Sequence, residues 1–230
     1  MIKIRAFSDW HWVDFLKKIR KDESCDLLLL CGDAAIHENK EHFRDWGYGK
    51  IMKSKFPNAH IIMVPGNHDN LLPGEKFEGI DEVLINQETT WNGLRIYGCP
   101  YWESIDPEAI NPIARNYMLS DPEKAKACME MIPEGLDILM THTPPKHILD
   151  ASHYMVDGDF HLGSKALYDR LWKLSMAEKE PKFHFFGHIH MQGGTMTTDV
   201  LGKTIFMNVA VLDENYNQTN PTHGGLYIEE

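Results

Sequence analysis

Five stretches of this chain share one construction: an apolar run of strand length stops at Gly, Ser or Thr and then presents Asp, Asn or His. Ile2, Ile4 and Ala6 alternate with Lys3, Arg5 and Phe7 and lead into Ser8-Asp9-Trp10-His11. Leu27-Leu28-Leu29-Leu30-Cys31 is continuously apolar, as expected of a strand covered on both faces, and it ends in Gly32-Asp33. His60 to Val64 ends in Pro65-Gly66-Asn67-His68-Asp69, Leu136 to Met140 in Thr141-His142, and Lys182 to Phe186 in Gly187-His188-Ile189-His190. Ligands gather at the carboxyl ends of strands in α/β architectures, so five such ends can converge on one place.

Between these runs the spacing predicts helices. Residues 13 to 21 and 40 to 56 carry apolar positions at helical intervals. Ser120-Asp121-Pro122-Glu123 reads as a capping box before a helix through Met131, and Gly163-Ser164 opens another with Leu167, Leu171 and Leu174 on one face. Further strands are expected over Gly93 to Cys99, Gly194 to Thr198, Thr204 to Ala210 and Gly225 to Ile228. The pattern is that of an α/β protein, a layered sandwich with helices outside two packed sheets. No repeat or linker divides the chain, and 230 residues suit a single domain spanning 1–230.

The donor types define a chemistry. A two-metal hydrolytic centre needs ions about 3.5–4 Å apart, bridged by an acidic oxygen, with neutral imidazoles or oxygens around each and open positions for water and substrate. Asp33, after the most apolar strand, suits the bridge. Asp9, His11 and His190 could complete one ion, and Asn67, His142 and His188 the other. Mixed His and oxygen donors favour Mn, Fe or Zn over an all-oxygen Mg or Ca site. A lone His-x-His or Gly-Asp is more often an ordinary turn or strand fragment; it is their occurrence in order, each after an apolar run, that carries the assignment.

The ordered blocks Asp9-x-His11, Gly32-Asp33, Gly66-Asn67-His68, His142 and Gly187-His188-x-His190 resemble the calcineurin-like metallophosphoesterase superfamily across nearly the whole chain. The resemblance implies a four-layer αββα sandwich of two mixed β-sheets flanked by helices, two divalent or trivalent metal ions on the seven residues above, and a metal-bound hydroxide as nucleophile. It also implies that His68 contacts the phosphate and protonates the leaving oxygen. Gly93 to Trp102, Ile132 to Pro145 and Gly194-Thr195-Met196 look like the metallophosphoesterase-domain-containing branch, which is associated with cyclic nucleotide phosphodiesterase activity. Some animal members of that branch have Gly in place of the first His of the last block; this chain keeps His188, which implies an active enzyme. The first block departs from the commoner Asp-x-His-Gly, with Trp10 and Trp12 flanking His11.

Composition narrows the substrates. A net charge of −11 argues against a polyanion-binding surface, so a small phosphodiester or nucleotide held by local metal charge is expected, not long nucleic acid. The N-terminal stretch reads as neither signal nor transit peptide and no apolar run is long enough for a membrane span, which makes cytoplasm the expected location. The four cysteines form no Cys-x-x-Cys pair and read as reduced, mostly buried thiols.

The remaining histidines read as surface or structural residues, although His147 or His153 could rim the site. Asp69 has two readings, an orienter of His68 or a solvated turn carboxylate. Trp10, Trp12, Tyr101 and Trp102 could stack a nucleobase, but packing is the commoner role of such aromatics. Phosphodiester hydrolysis is the leading function, a phosphomonoesterase or nuclease the alternative, and a non-catalytic metal-binding scaffold a third reading. Protein phosphatases extend the second block to include an Arg that grips a phosphate dianion; here it continues Ala34-Ala35-Ile36-His37-Glu38, without one.

Overall fold

Four consecutive leucines, Leu27–Leu30, form strand β2, and they divide by parity because successive side chains of a strand point to opposite faces. Leu28 and Leu30 join one buried cluster and Leu27 and Leu29 another. The computed structural model describes residues 2–11, 13–34, 47–69, 71, 74, 77–103, 116–156, 158–198, 200–217 and 227–229. Trp12, His37, His42, Arg115 and His223 lie outside these residues.

Strands β1 (Lys3–Phe7), β2, β3 (His60–Met63), β4 (Glu82–Val83) and β15 (Tyr227–Glu229) make the first sheet, in the order β15-β1-β2-β3-β4. β1 to β4 pair parallel, and β15 is antiparallel to β1. The second sheet has the order β13-β14-β12-β9-β6-β5, from β5 (Gln87–Trp91), β6 (Leu94–Cys99), β9 (Ile138–Thr141), β12 (Phe183–Phe186), β13 (Thr195–Thr197) and β14 (Ile205–Asn208). Its four central strands are parallel and both edges antiparallel. Two small ribbons, β7 (Trp102–Glu103) with β8 (Met118–Leu119) and β10 (Ala151–Val156) with β11 (Asp159–His161), complete the strands among the described residues.

Among the described residues four helices, α1 (Val13–Lys18), α2 (Tyr48–Lys55), α3 (Pro122–Glu130) and α4 (Lys165–Met176), cover the outer faces. Phe15, Leu16, Tyr48 and Met52 pack on Phe7, Leu28, Leu30 and Ile61 of the first sheet. Ile4, Ala6, Leu29 and Ile62 meet Ile96, Ile138, Met140 and Phe185 between the sheets. Met129, Leu167, Leu171 and Leu174 cover Tyr97, Leu139, Phe186 and Phe206 on the second. Three apolar interfaces separate four layers, which is the expected αββα sandwich; each fully buried Leu, Ile or Phe contributes about 1.5–3 kcal/mol.

The element ends differ from expectation in places. α1 stops at Lys18, short of 21, because Ile19 turns back with its N–H on the Leu16 carbonyl and Asp22 bonds the Lys55 carbonyl. α2 is seen from Tyr48, and the expected residues 40–46 lie outside those described. At α3 the cap is Asp121, not Ser120: its carboxylate accepts from the Glu123 N–H at 3.0 Å. Ser164 caps α4 as expected, accepting from Leu167 N at 3.1 Å. No helix of the described residues is long and apolar enough to cross a membrane.

Candidate metal centre

β1, β2 and β3 in one sheet and β9 and β12 in the other end at the same edge of the sandwich, where Ser8 forms a parallel bridge with Ala210. Beyond those ends the chain reverses sharply. Asp9, His11, Asp33 and His188 all adopt left-handed backbone, with φ of 56°, 48°, 54° and 65°. Such a conformation costs a non-glycine residue about 1–2 kcal/mol. It is held by cross-links between the loops: Asp9 N to the Gly32 carbonyl (3.0 Å), His11 N to the Asp33 carbonyl (3.1 Å), and His68 N to Asp33 Oδ1 (2.9 Å). Gly187 has no room for a side chain, since a Cβ there would sit 2.1 Å from both Asp9 Oδ2 and Ser8 Oγ.

The expected donors fall into two groups. Asp9, His11 and His190 form one and Asp33, His142 and His188 the other, each offering ligand atoms that lie within 4.8 Å of one another. In the first, His190 Nε2 is 3.3 Å from both Asp9 Oδ1 and His11 Nε2. In the second, His142 Nε2 is 2.9 Å from Asn67 Oδ1, 3.2 Å from His188 Nδ1 and 3.3 Å from Asp33 Oδ2. His68 stands beside them, its Nε2 3.8 Å from Asp33 Oδ2 and its ring edge-on to His11.

The donor set fits cations for a specific reason. His190 Nδ1 bonds the Asp213 carbonyl (3.0 Å) and His142 Nδ1 the Cys31 carbonyl (2.8 Å), so both Nδ1 atoms must carry the hydrogen. In the neutral rings Nε2 is then a lone pair aimed at other acceptors. Among the described residues Asp9 Oδ1 is buried with no hydrogen-bond partner. Lone pairs converging on lone pairs require a positive species between them, a proton or a metal ion.

Protonation follows the same division. Burial lowers His142, but the Asp33 and Asp9 carboxylates outweigh it and raise the imidazole to about 10. Burial likewise opposes, and Asp9 overcomes, a rise of His190 to about 9. Burial pushes His11 down to about 4 and His188 to about 3. Against burial, the neighbouring imidazoles hold Asp9 at about 2 and Asp33 well below the carboxylate range. Each group thus holds one imidazolium against one carboxylate, a charge that a metal ion can replace.

A cavity of about 300 Å³ opens over both groups, lined by His11, Asp33, Asn67, His68, His188 and His190. Ser152, Leu162, Glu214 and Tyr216 also line it, and nothing in their local sequence had marked them. Tyr216 lies edge-on to His11 and His190, with ring centroids 5.2 and 5.7 Å away. Glu214 is 3.5 Å from His153, which places His153 at the rim; His147 instead packs on His161 and Tyr168.

Asp69 is not the solvated turn carboxylate of one of its readings. It is completely buried and its two oxygens accept from Ala34 N (3.0 Å) and Gly66 N (2.8 Å), clamping the second block to the third. The described aromatic residues of that set pack: Trp10 is buried against Tyr48, Tyr101 lies edge-on to Tyr117, and Trp102 is buried with its ring 5.6 Å from that of His188.

Comparison with known proteins agrees with this fold. A solved crystal structure superposes with a TM-score of 0.64, covering 90% of both chains at 16% identity, a likeness of fold alone. Human metallophosphoesterase domain-containing protein 1 is 26% identical over 230 residues, covering 85% of this chain; the mouse protein matches equally. The chain spans 63% of the length of these two relatives. UPF0046 protein C25E10.12 of Caenorhabditis elegans is 28% identical, covering 79% of this chain and 68% of its own length. The sequence matches the calcineurin-like phosphoesterase family over residues 2–192, a span that includes all seven candidate ligands and His68, and the chain belongs to that family.

Proposed function

We propose that this chain is a dinuclear metal-dependent phosphodiesterase acting on small phosphodiesters, with nucleoside cyclic phosphates the first natural compounds to test. The observation that carries the reading is the pair of donor groups beneath one cavity, with Asp33 next to both His142 and His68. Asp9, His11 and His190 would hold one ion and Asn67, His142 and His188 the other, with Asp33 shared. Mn, Fe or Zn suits these donors. When bound, such ions supply charge to the phosphoryl oxygens and activate water for attack.

The protein's own groups do the rest. His190 and His142 are fixed by the Asp213 and Cys31 carbonyls, so their lone pairs need no reorientation to bind an ion. His68, anchored through its N–H on Asp33, presents an imidazole at the cavity wall as the acid for the leaving oxygen. Among the described residues no Lys or Arg lines the cavity, whereas Glu214 does. A diester carries one negative charge and tolerates that wall better than a monoester dianion, which gains most from a cationic clamp. Both sheets contribute donors to one centre, which supports a single domain over 1–230.

The test compares kcat/KM for bis(nitrophenyl) phosphate and nitrophenyl phosphate with one manganese-loaded preparation. Preference for the diester is expected. A clear monoester preference overturns the substrate reading, and full turnover by thoroughly metal-stripped protein overturns the metal reading.

A further inference from the structure

Three aromatic side chains among the described residues stand well exposed, Phe160 at 49%, Trp172 at 47% and Tyr216 at 42%, and of these Tyr216 alone lines the cavity over the donor groups. Its ring lies beside His11 and His190, so it borders the place where the phosphate must sit. The same wall carries the apolar side chains of Leu162 and Ile189, the Ser152 hydroxyl and the Glu214 carboxylate. Glu214 is 20% exposed in its side chain, with His153 3.5 Å away at the rim.

The loop holds this ring in place before any substrate arrives. Tyr216 N donates to the Asp213 carbonyl at 2.8 Å, the same carbonyl that accepts from His190 Nδ1 at 3.0 Å. The Asp213 carboxylate accepts from Asn215 N (2.9 Å) and Asn217 N (2.7 Å), and Asp213 N donates to the Asn217 carbonyl (2.7 Å). Platform and metal donor are therefore set by one tight turn. The chemistry of the wall selects among ester groups: a flat face, an apolar flank and a carboxylate that only accepts match a nucleobase, which has a π-face to stack and N–H groups that donate. Alkyl and polyol groups have no ring to stack. At about 300 Å³ the cavity is at the small end of ligand pockets, which suits one such group beside the phosphate.

We propose that Tyr216 and Glu214 form the specificity subsite for a nucleoside on the phosphodiester, the base stacked on the Tyr216 ring and its N–H groups donating to Glu214. The inference rests on the phosphodiesterase reading above and adds the residues that choose among diesters. Stacking on an aromatic side chain tolerates every base, so the subsite separates nucleoside esters from other esters and not one base from another.

The experiment compares kcat/KM of the full manganese-loaded chain for thymidine 5′-(nitrophenyl) phosphate and methyl nitrophenyl phosphate, two diesters with the same charge and leaving group. The thymidine ester should be favoured about five- to hundredfold, the range that stacking of one base provides. Tyr216→Leu and Glu214→Ala should each lower this ratio, and Tyr216→Phe, which keeps the ring, should preserve it. A wild-type ratio at or below one overturns the proposal whatever the variants do, and so does a Tyr216→Leu variant that slows both esters equally. Calorimetric binding of thymidine 5′-phosphate and methyl phosphate to the same preparations reads the subsite without turnover: the wild type should hold the nucleotide more tightly by a similar factor, and equal affinities overturn the proposal. If wild-type protein hydrolyses neither diester, the phosphodiesterase reading falls while calorimetry still decides the subsite; turnover of both with a ratio of one sinks the subsite alone.

Discussion

The Asp9 carboxylate accepts a hydrogen bond of 2.9 Å from the backbone N–H of His188, 179 residues away and on the other sheet. One oxygen thus joins the two sheets while the other, Oδ1, faces the first donor group. Asp9→Asn can keep the joining bond through its amide oxygen but loses the charge, so it should fold and bind one ion poorly. Asp9→Ala loses both functions and strands a buried N–H, a defect of about 1–3 kcal/mol. Denaturant unfolding of chelated protein should separate the two variants; equal stability would show that the His188 contact contributes nothing.

Asp33→Asn should be the most damaging single ligand change, because a neutral amide cannot bridge two cations as a carboxylate does. Metal content per chain, measured after gel filtration, should fall for both ions and turnover with it. Retention of two ions at full occupancy would remove Asp33 from the bridging position.

His68→Ala should keep its metal and lose turnover, since His68 is assigned to the leaving group. A positioned general acid contributes on the order of a hundred- to ten-thousand-fold. The loss should be smallest for nitrophenolate, which leaves without help, and largest for an alkoxide. Equal losses across leaving groups would mean that His68 only positions the phosphate.

Metal binding should release protons. In the metal-free protein His142, held up to about 10, and His190, held up to about 9, are both charged at neutral pH, and each must deprotonate to bind. Titration with manganese at pH 7 in weak buffer should liberate about two protons per chain, and affinity should fall as pH is lowered. Conversely, the stability these imidazolium groups give the chelated protein is present below the ordinary His value and lost as pH rises through 9 to 10, where Asp9 and Asp33 lose their buried counter-charges. Metal binding without proton release at pH 7 would refute this account.

Asp69→Ala should destabilise the chelated protein by about 2–4 kcal/mol, because the Ala34 and Gly66 N–H groups both lose their acceptor inside the structure. A change below about 0.5 kcal/mol in urea unfolding would show that water replaces the carboxylate.

The donor set was visible in the sequence because each member follows directly on an apolar run, so strand periodicity alone brings the residues to one edge. Ser152, Glu214 and Tyr216 were not, since their segments carry no such signal and reach the cavity only through tertiary packing. The solvated-turn reading of Asp69 fails for a related reason: its sequence context is a turn, and only the folded Asp33 loop covers it and makes it a buried clamp. The α3 boundary turned on which of two adjacent good caps, Ser120 or Asp121, the chain geometry selects, a choice local sequence leaves open.

Left-handed backbone at Asp9, His11, Asp33 and His188 also limits how portable this centre is. Glycine would relax any of the four positions yet would delete the donor, so no point change both eases the main chain and keeps the chemistry. An engineer grafting the seven side chains onto a foreign scaffold would therefore have to transplant the contorted loops as well.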